Sequence, residues 1–229
     1  MQKPAGRQPF INVGWLGFVG VLTGVNRQGI SVAEIGAESD DTRLDGIPMP
    51  FLLRRVLEEA GDLQQAVDRV REGPRTVGYN YLFADAKKGE AVALETTRRF
   101  CAVFRQGKEP EVPHAVPVPD TLVRSDWALD PEVRQSQVAS GGKPSRPGLE
   151  SPRGSNAYEV RYRGQALLLQ RFHGALDPEI AMAVARSIAP QSNIQSVVFA
   201  YPQIWVANAE GRKPAAQCRF TQVDLAELF

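Results

Sequence analysis

Few side chains in this sequence could act as a thiol nucleophile or as a histidine base. The 229 residues include two cysteines, Cys101 and Cys218, and two histidines, His114 and His173. Neither a CxxC pair nor paired-histidine spacing occurs, so the sequence predicts no zinc site. Cys101 lies in the run FCAVF, which favours an inert strand thiol over a nucleophile. His114 is a candidate acid–base group, because an unperturbed imidazole has a pKa near ~6.5; an exposed histidine without a role is the alternative.

Five amide or charged side chains are candidates for contacting a small-molecule substrate: Asn26, Arg54, Asn80, Glu95 and Arg161. Asn80 interrupts the apolar run GYNY, so it faces either a cleft or a buried hydrogen-bond network. Asn26 lies in VNRQG, where a turn role competes with substrate contact. For Glu95 and Arg54, an ion pair between layers of the fold is the alternative to catalysis.

The elements that must position these residues begin close to the N-terminus. Phe10–Ile35 predicts two buried strands joined by an Asn-Arg-Gln-Gly turn, with the Phe18–Val25 run covered on both faces. A helix follows over Pro50–Ala60, with a stripe of Phe51, Leu52, Val56 and Leu57, and Asp62 caps a second helix that ends near Arg71. Three strands of an antiparallel meander come next, over Val77–Ala84, Glu90–Thr96 and Phe100–Phe104.

The second half of the chain repeats this grouping of helices and strands. Gln106–Gly154 is predicted to be an irregular Pro- and Gly-rich insertion. Helices are predicted over Ala157–Phe172 and from Asp177 to about Ala189, followed by strands at Ser196–Ala200, at Gln203–Ala207 and near Gln217–Gln222. Grouped strands and grouped helices indicate an α+β fold of mostly antiparallel sheets covered by helices. We expect one domain over residues 1–229, with the insertion at about 106–154.

Composition excludes several classes of partner. The net charge is +1, with acidic and basic residues interspersed, so no nucleic acid is expected as a partner. No segment approaches the ~20 apolar residues of a membrane span, and no membrane partner is expected. Two cysteines fit a reducing compartment, so we expect a cytoplasmic protein, although a lost upstream signal would leave the same appearance. No cofactor is expected.

Several of these segments together resemble the acyltransferase branch of the N-terminal-nucleophile hydrolases, the isopenicillin N acyltransferase-like (acyl-CoA:6-aminopenicillanate acyltransferase) family. The resemblance runs from Phe10 to Phe229 and implies a four-layer αββα sandwich that makes or breaks amide bonds. The segments that carry it are GWLGFVGVLTGVNRQGISV, IPMPFLLRRVLEEAGDLQQAVDRV, VGYNYLFADAKKGEAVALE, NAYEVRYRGQALLL and SVVFAYPQIWVAN.

The resemblance also implies a particular mechanism. Members of the family cleave themselves to expose a cysteine whose own α-amino group, with an unperturbed pKa near ~8, acts as the base. The nucleophile lies upstream of the GVLTG-type strand, on strands that this sequence does not contain. The family's Asn-His-Phe segment would fall near Val112–Ala115, which reads VPHA here. An arginine near the catalytic strand corresponds to Arg161, with Arg163 as the other possible register.

Three functional hypotheses follow. The first is an amide hydrolase or acyltransferase in a truncated or partner-completed form, whose open sheet edge favours a homo-oligomer or a partner chain that supplies the missing strands. The second is a non-catalytic relative that keeps the scaffold as a binding or structural protein. The third is a hydrolase that uses Cys101 or Cys218 together with His114.

Overall fold

The structure is a computed structural model that describes residues 1–37, 39–107, 109, 111–139 and 157–229. The chain divides into two compact units, Met1–Arg163 and Gly164–Phe229, which are described separately. The described residues form two antiparallel sheets and five α-helices, which confirms the expected α+β class. None of the described helices is both long and apolar enough to cross a membrane. The expectation of one domain over the whole chain stays a prediction.

The first unit is built on a six-stranded sheet in which every strand pairs with its sequence neighbours. The order β1-β2-β3-β4-β5-β6 is antiparallel throughout. The strands are β1 (Phe10–Val13), β2 (Thr23–Asn26), β3 (Ile30–Gly36), β4 (Tyr79–Asp85), β5 (Glu90–Thr96) and β6 (Cys101–Arg105). The helices are α1 (Met49–Glu59), α2 (Leu63–Glu72) and α3 (Pro131–Ala139).

Helices α1 and α2 cover one face of this sheet. Asp62 caps α2 as predicted, since its side chain accepts a hydrogen bond from the Gln65 N–H over 2.8 Å. Phe51 is predicted in the inward stripe of α1, but it is 48% exposed. The buried positions of α1 recur at helical spacing and are Met49, Leu52, Leu53, Val56 and Leu57.

Side chains alternate along the strands, and this alternation determines which residues project from the face of the sheet opposite α1 and α2. Val32, Tyr81 and Leu94 belong to the core beneath the helices. Asn80 and Glu95 are direct partners in the β4–β5 ladder, one residue before Tyr81 and one after Leu94. Because successive side chains point to opposite faces, Asn80 and Glu95 project together from the face that does not carry α1 and α2.

The predicted strand Phe18–Val25 is wrong over most of its length, because β2 begins only at Thr23. The residues before it form an irregular connection in which Leu16 and Val19 are exposed. Gly17 has a φ of 83°, a left-handed conformation that an extended strand cannot contain. The turn at Asn26–Gly29 is confirmed, since β2 and β3 pair on either side of it.

The Pro-rich tract after β6 is not wholly irregular, which corrects the prediction for 106–154. Helix α3 occupies Pro131–Ala139. It begins where Asp130 Oδ1 accepts hydrogen bonds from the N–H groups of Glu132 and Val133, both over 3.0 Å. Asp-Pro-Glu is a typical helix start, so local sequence carried this signal. The part of the insertion over 140–154 lies outside the described residues.

The second unit contains a three-stranded antiparallel sheet, β7-β8-β9. Helix α4 (Ala157–Arg171) spans the boundary between the units, and α5 (Pro178–Ile188) is capped by Asp177, as predicted. The strands are β7 (Gln195–Ala200), β8 (Gln203–Asn208) and β9 (Thr221–Asp224). The last strand starts later than predicted, because Ala215–Gln217 forms a short 3-10 helix.

Candidate active site

One short segment, Arg124-Ser125-Asp126, brings three of the predicted site residues together. Asn80 Nδ2 donates a hydrogen bond to the Ser125 carbonyl oxygen over 2.8 Å. Arg124 Nε lies 2.8 Å from Glu95 Oε1. Arg161 Nη2 donates to Asp126 Oδ2 over 2.6 Å. We call these six residues the 124–126 cluster, and all of them lie in the first unit.

The ion pair between Glu95 and Arg124 is the buried part of the cluster. The two side chains are 0% and 1% exposed. Arg124 Nη1 also donates to both oxygens of Glu111, over 3.1 and 2.8 Å, and its guanidinium lies 4.6 Å from the centre of the Phe104 ring. Charges buried this deeply require close partners, so removing either member would leave the other uncompensated.

The Glu95 carboxyl is held from two sides. Oε2 accepts a hydrogen bond from the Asp130 N–H over 2.7 Å, while Oε1 faces Arg124. Burial raises the pKa of Glu95, and the Arg124 charge and the Asp130 N–H oppose that rise without cancelling it. Glu95 therefore fixes the start of α3 and the 124–126 segment relative to the sheet.

The sequence did not single out one carboxyl group whose pKa is raised, that of Glu34 on β3. Burial raises the pKa of Glu34 to about 7, and the Asp126 carboxylate adds to the rise. Glu34 stands opposite Tyr81 in the β3–β4 ladder, so it projects from the face of the sheet that carries α1 and α2.

Exposure separates the cluster into two parts. Asn80 and Glu95 are 1% and 0% exposed. The side chains of Arg161 and Asp126 are 28% and 30% exposed, so solvent reaches them. The Asp126–Arg161 pair is thus partly accessible to solvent, whereas the buried residues hold the segment in place.

The structure also resolves which of two arginines on α4 faces the cluster. Arg163 pairs with Glu159 on its own helix over 2.9 Å, and its side chain is 47% exposed. Arg161 instead reaches across to Asp126. Arg161, and not Arg163, is therefore the arginine of α4 that contacts the cluster.

Asn26 is not at the cluster, and its hydrogen bonds explain its conformation. It is fully buried, and Nδ2 donates to the carbonyls of Leu57 and Ala60 over 3.2 and 2.8 Å. Oδ1 accepts from the N–H groups of Gln28 and Ile30 over 3.1 and 3.0 Å. Asn26 thus holds the β2–β3 turn against the C-terminus of α1, a structural role in place of the predicted substrate contact.

Arg54 is not at the cluster either, and the expected ion pair between Arg54 and Glu95 is wrong. Arg54 lies on α1, where it pairs with Glu58 over 2.7 Å and donates to the Val19 carbonyl over 2.8 Å. Glu95 projects from the other face of the sheet and pairs with Arg124. The sheet therefore separates the two side chains.

His114 is engaged in contacts that leave no nucleophile beside it among the described residues. Its Nε2 lies 2.6 Å from Arg134 Nη2 and 3.1 Å from the Leu129 carbonyl. Because a guanidinium only donates, the shorter contact uses the Nε2 lone pair. The ring packs edge-on against Trp127, with centroids 6.0 Å apart. These contacts favour a structural role over the predicted acid–base role.

Neither cysteine has the surroundings of a reactive thiol. Cys101 packs against the core beneath α1 and α2, and burial raises its pKa. Cys218 is buried in the second unit, where its Sγ donates to the Pro214 carbonyl over 3.4 Å. Reactive cysteines need a lowered pKa and access, so the hypothesis based on these thiols and His114 is not favoured.

Sequence reasoning missed Glu34, Arg124 and Asp126. The last two lie in a Pro-rich tract that is typical of a loop, and no regular spacing connects them to the strands. The described residues contain no group of three or more His, Cys, Asp or Glu side chains that could hold a metal ion.

Comparison with known families and curated proteins supports the resemblance in the N-terminal half of the chain. Residues 4–114 match the family model of acyl-coenzyme A:6-aminopenicillanic acid acyl-transferase. An uncharacterized protein of Archaeoglobus fulgidus is 27% identical over 130 residues, covering 55% of this chain and 22% of that protein. Protein dcd1A of Dictyostelium discoideum is 28% identical over 137 residues, covering 57% and 31%. The matched part is less than a third of either relative.

Two solved structures are similar over nearly the whole chain. A mutant of the conjugated bile acid hydrolase from Clostridium perfringens aligns with a TM-score of 0.57 and 11% identity, covering 94% of this chain and 76% of that one. Penicillin V acylase from Agrobacterium tumefaciens aligns with a TM-score of 0.55 and 12% identity, covering 91% and 67%. Likeness at this identity shows the fold, which is that of the N-terminal-nucleophile hydrolases.

Proposed function

We propose that the chain, whose residues 4–114 match the family model of acyl-coenzyme A:6-aminopenicillanic acid acyl-transferase, provides the substrate-binding part of an amide hydrolase or acyltransferase. The substrate is a small molecule with an amide C–N bond. The observation that carries the proposal is the meeting of Asn80, Glu95 and Arg161 at one segment, Arg124–Asp126. In this arrangement, buried contacts from Asn80 and Glu95 support a segment whose Asp126–Arg161 ion pair is accessible to solvent.

The accessible pair supplies the substrate contacts. Arg161 offers N–H donors to the carbonyl or carboxylate of a substrate, and Asp126 holds its guanidinium in one orientation. Asn80 and Glu95 act as positioning residues, because their side chains contact Ser125 and Arg124 from the sheet.

The proposed nucleophile comes from a polypeptide segment or partner chain outside these 229 residues, as in a truncated or partner-completed enzyme. Its thiol or hydroxyl adds to the amide carbonyl, and the C–N bond breaks as the leaving amine takes up a proton. Water then releases the acyl group in a hydrolase, or a second amine accepts it in an acyltransferase. The packing of the partly buried Cys101 against the core and the burial of Cys218 support an outside source for the nucleophile.

The proposal is tested on the native protein, because a partner would be lost in a recombinant chain. The protein is purified from its source, and its intact mass, N-terminal sequence and co-purifying chains are determined. The preparation is then assayed for amine release from penicillin V and conjugated bile acids, and it is treated with a thiol-directed acyl probe. Amine release together with a labelled N-terminal residue supports the proposal.

The same experiment distinguishes the proposed enzyme from a non-catalytic relative. A preparation that releases no amine, carries no labelled residue and still binds these amides would identify a non-catalytic relative that keeps the scaffold as a binding protein. Labelling of Cys101 or Cys218 would instead favour a thiol hydrolase that uses this chain alone.

A further inference from the structure

Two deeply buried polar atoms beside Glu95 lack partners. Asn80 is 1% exposed and Arg124 is 2% exposed. Within the described part of the chain, neither Asn80 Oδ1 nor Arg124 Nη2 has a hydrogen-bond partner. Leaving such atoms unpaired is costly, and native structures resolve it with an ordered water molecule or a ligand.

The two atoms belong to residues that share one neighbour on one face of the sheet. Asn80 stands directly opposite Glu95 in the β4–β5 ladder, a relationship that brings their Cβ atoms to about 5 Å. Arg124 Nε lies 2.8 Å from Glu95 Oε1, a contact that is close enough for an ion pair but is not aligned as a hydrogen bond.

The unpaired Nη2 belongs to the guanidinium that lies against Glu95. Arg124 Nη1 is occupied, since it donates to Glu111 and to the Val123 carbonyl, the latter over 2.7 Å. Nε lies beside Glu95, which stands opposite Asn80 in the β4–β5 ladder, so Nη2 lies in the same buried region as the Asn80 amide.

The orientation of the Asn80 amide is fixed by its other bond. Nδ2 donates to the Ser125 carbonyl over 2.8 Å, and a flipped amide would set two oxygens against each other. Oδ1 is thus an acceptor without a donor, and Arg124 Nη2 is a donor without an acceptor. A ligand that satisfies both must carry one donor and one acceptor.

The charges around these atoms favour a neutral ligand. The negative charges of Glu95 and Glu111 are offset by Arg124, and the carboxylate of Glu95 also attracts Arg134.

We propose that a single neutral group that both donates and accepts a hydrogen bond, either water or the amide group of a substrate, binds between Asn80 Oδ1 and Arg124 Nη2. The amide form rests on the proposed function, and the water form does not.

The test is a pair of high-resolution crystal structures of the full chain, one without additive and one with acetamide as the amide probe. Density within hydrogen-bond distance of both atoms in the first structure establishes the water form. Density that occurs only with acetamide establishes the amide form. A structure in which these two atoms bond to each other or to other protein atoms, with nothing bound in either crystal, overturns the proposal.

A matched pair of variants tests whether binding of the water or amide molecule depends on Asn80 Oδ1. Asn12 makes the same kind of bond, since its Nδ2 donates to the Gly20 carbonyl over 2.8 Å and its buried Oδ1 also has no partner among the described residues. Asn80→Leu should abolish the bound molecule, and Asn12→Leu should retain it. An occupied site in a protein without amide activity would support this inference while counting against the proposed function.

Discussion

Arg161 on α4 donates a 2.6 Å hydrogen bond to Asp126, which ends the same three-residue segment that binds Asn80 and Glu95. The accessible ion pair is therefore anchored to the sheet through a buried one. The orientation of Arg161, the proposed substrate contact, therefore depends on the buried residues Asn80, Glu95 and Arg124.

The buried ion pair should dominate the stability of the first unit. Arg124→Met leaves the Glu95 carboxylate buried without its partner, so we expect a loss of about 3–5 kcal/mol in the free energy of unfolding. Arg163→Met removes an exposed pair on α4 and should cost less than about 0.5 kcal/mol. Urea unfolding of both variants measures the difference, and equal losses would contradict the role given to Arg124.

Asn26 should matter for folding and not for substrate binding. Asn26→Ala removes the four hydrogen bonds that join the β2–β3 turn to the end of α1, and we expect a loss of about 2–4 kcal/mol. Thermal unfolding measures this loss. A variant that unfolds like the wild type but binds amides more weakly would restore Asn26 as a substrate contact.

These cases show how far the sequence could predict the fold and the site. Helix and strand positions followed from apolar spacing and caps such as Asp62 and Asp177, which act within a few residues. The partners of Glu95 did not follow, because Arg124 is 29 positions away in a tract without periodicity. Arg54 and Glu95 lie on opposite sides of the sheet. That placement depends on which face each strand turns toward α1, and a local sequence pattern does not determine it.

Asp41 should produce a loss of stability in acid. Burial alone would raise its pKa, but hydrogen bonds from Arg98 and Thr97 outweigh burial and lower the pKa to about 2 from 3.8. The folded state therefore binds the proton less readily than the unfolded chain, and the stabilisation present above pH 3.8 is lost as the pH falls toward 2. Asp41→Asn should flatten this part of the stability curve, and an unchanged slope would refute the assignment.

Glu34 should cause the stability of the folded state to fall as the pH rises, the opposite of the effect of Asp41. Burial raises its pKa from 4.5 to about 7, so the folded state holds a proton that the unfolded chain has released. Its stabilising contribution is complete below pH 4.5 and is lost as the pH rises through 7. Glu34→Gln should remove this decline. Unfolding curves measured from pH 4.5 to above pH 7 that decline equally in both proteins would show that another group is responsible.

The most direct measurement of the central claim is the kinetics of amide cleavage by the native assembly with Arg161→Gln beside Arg163→Gln. The two positions share a helix, but only Arg161 pairs with Asp126. We expect kcat/KM to fall by about 100-fold or more for Arg161→Gln, as for the loss of a charged substrate contact, and to stay within about twofold for Arg163→Gln. Equal activity of both variants and the wild type would contradict a substrate-binding role for the 124–126 cluster.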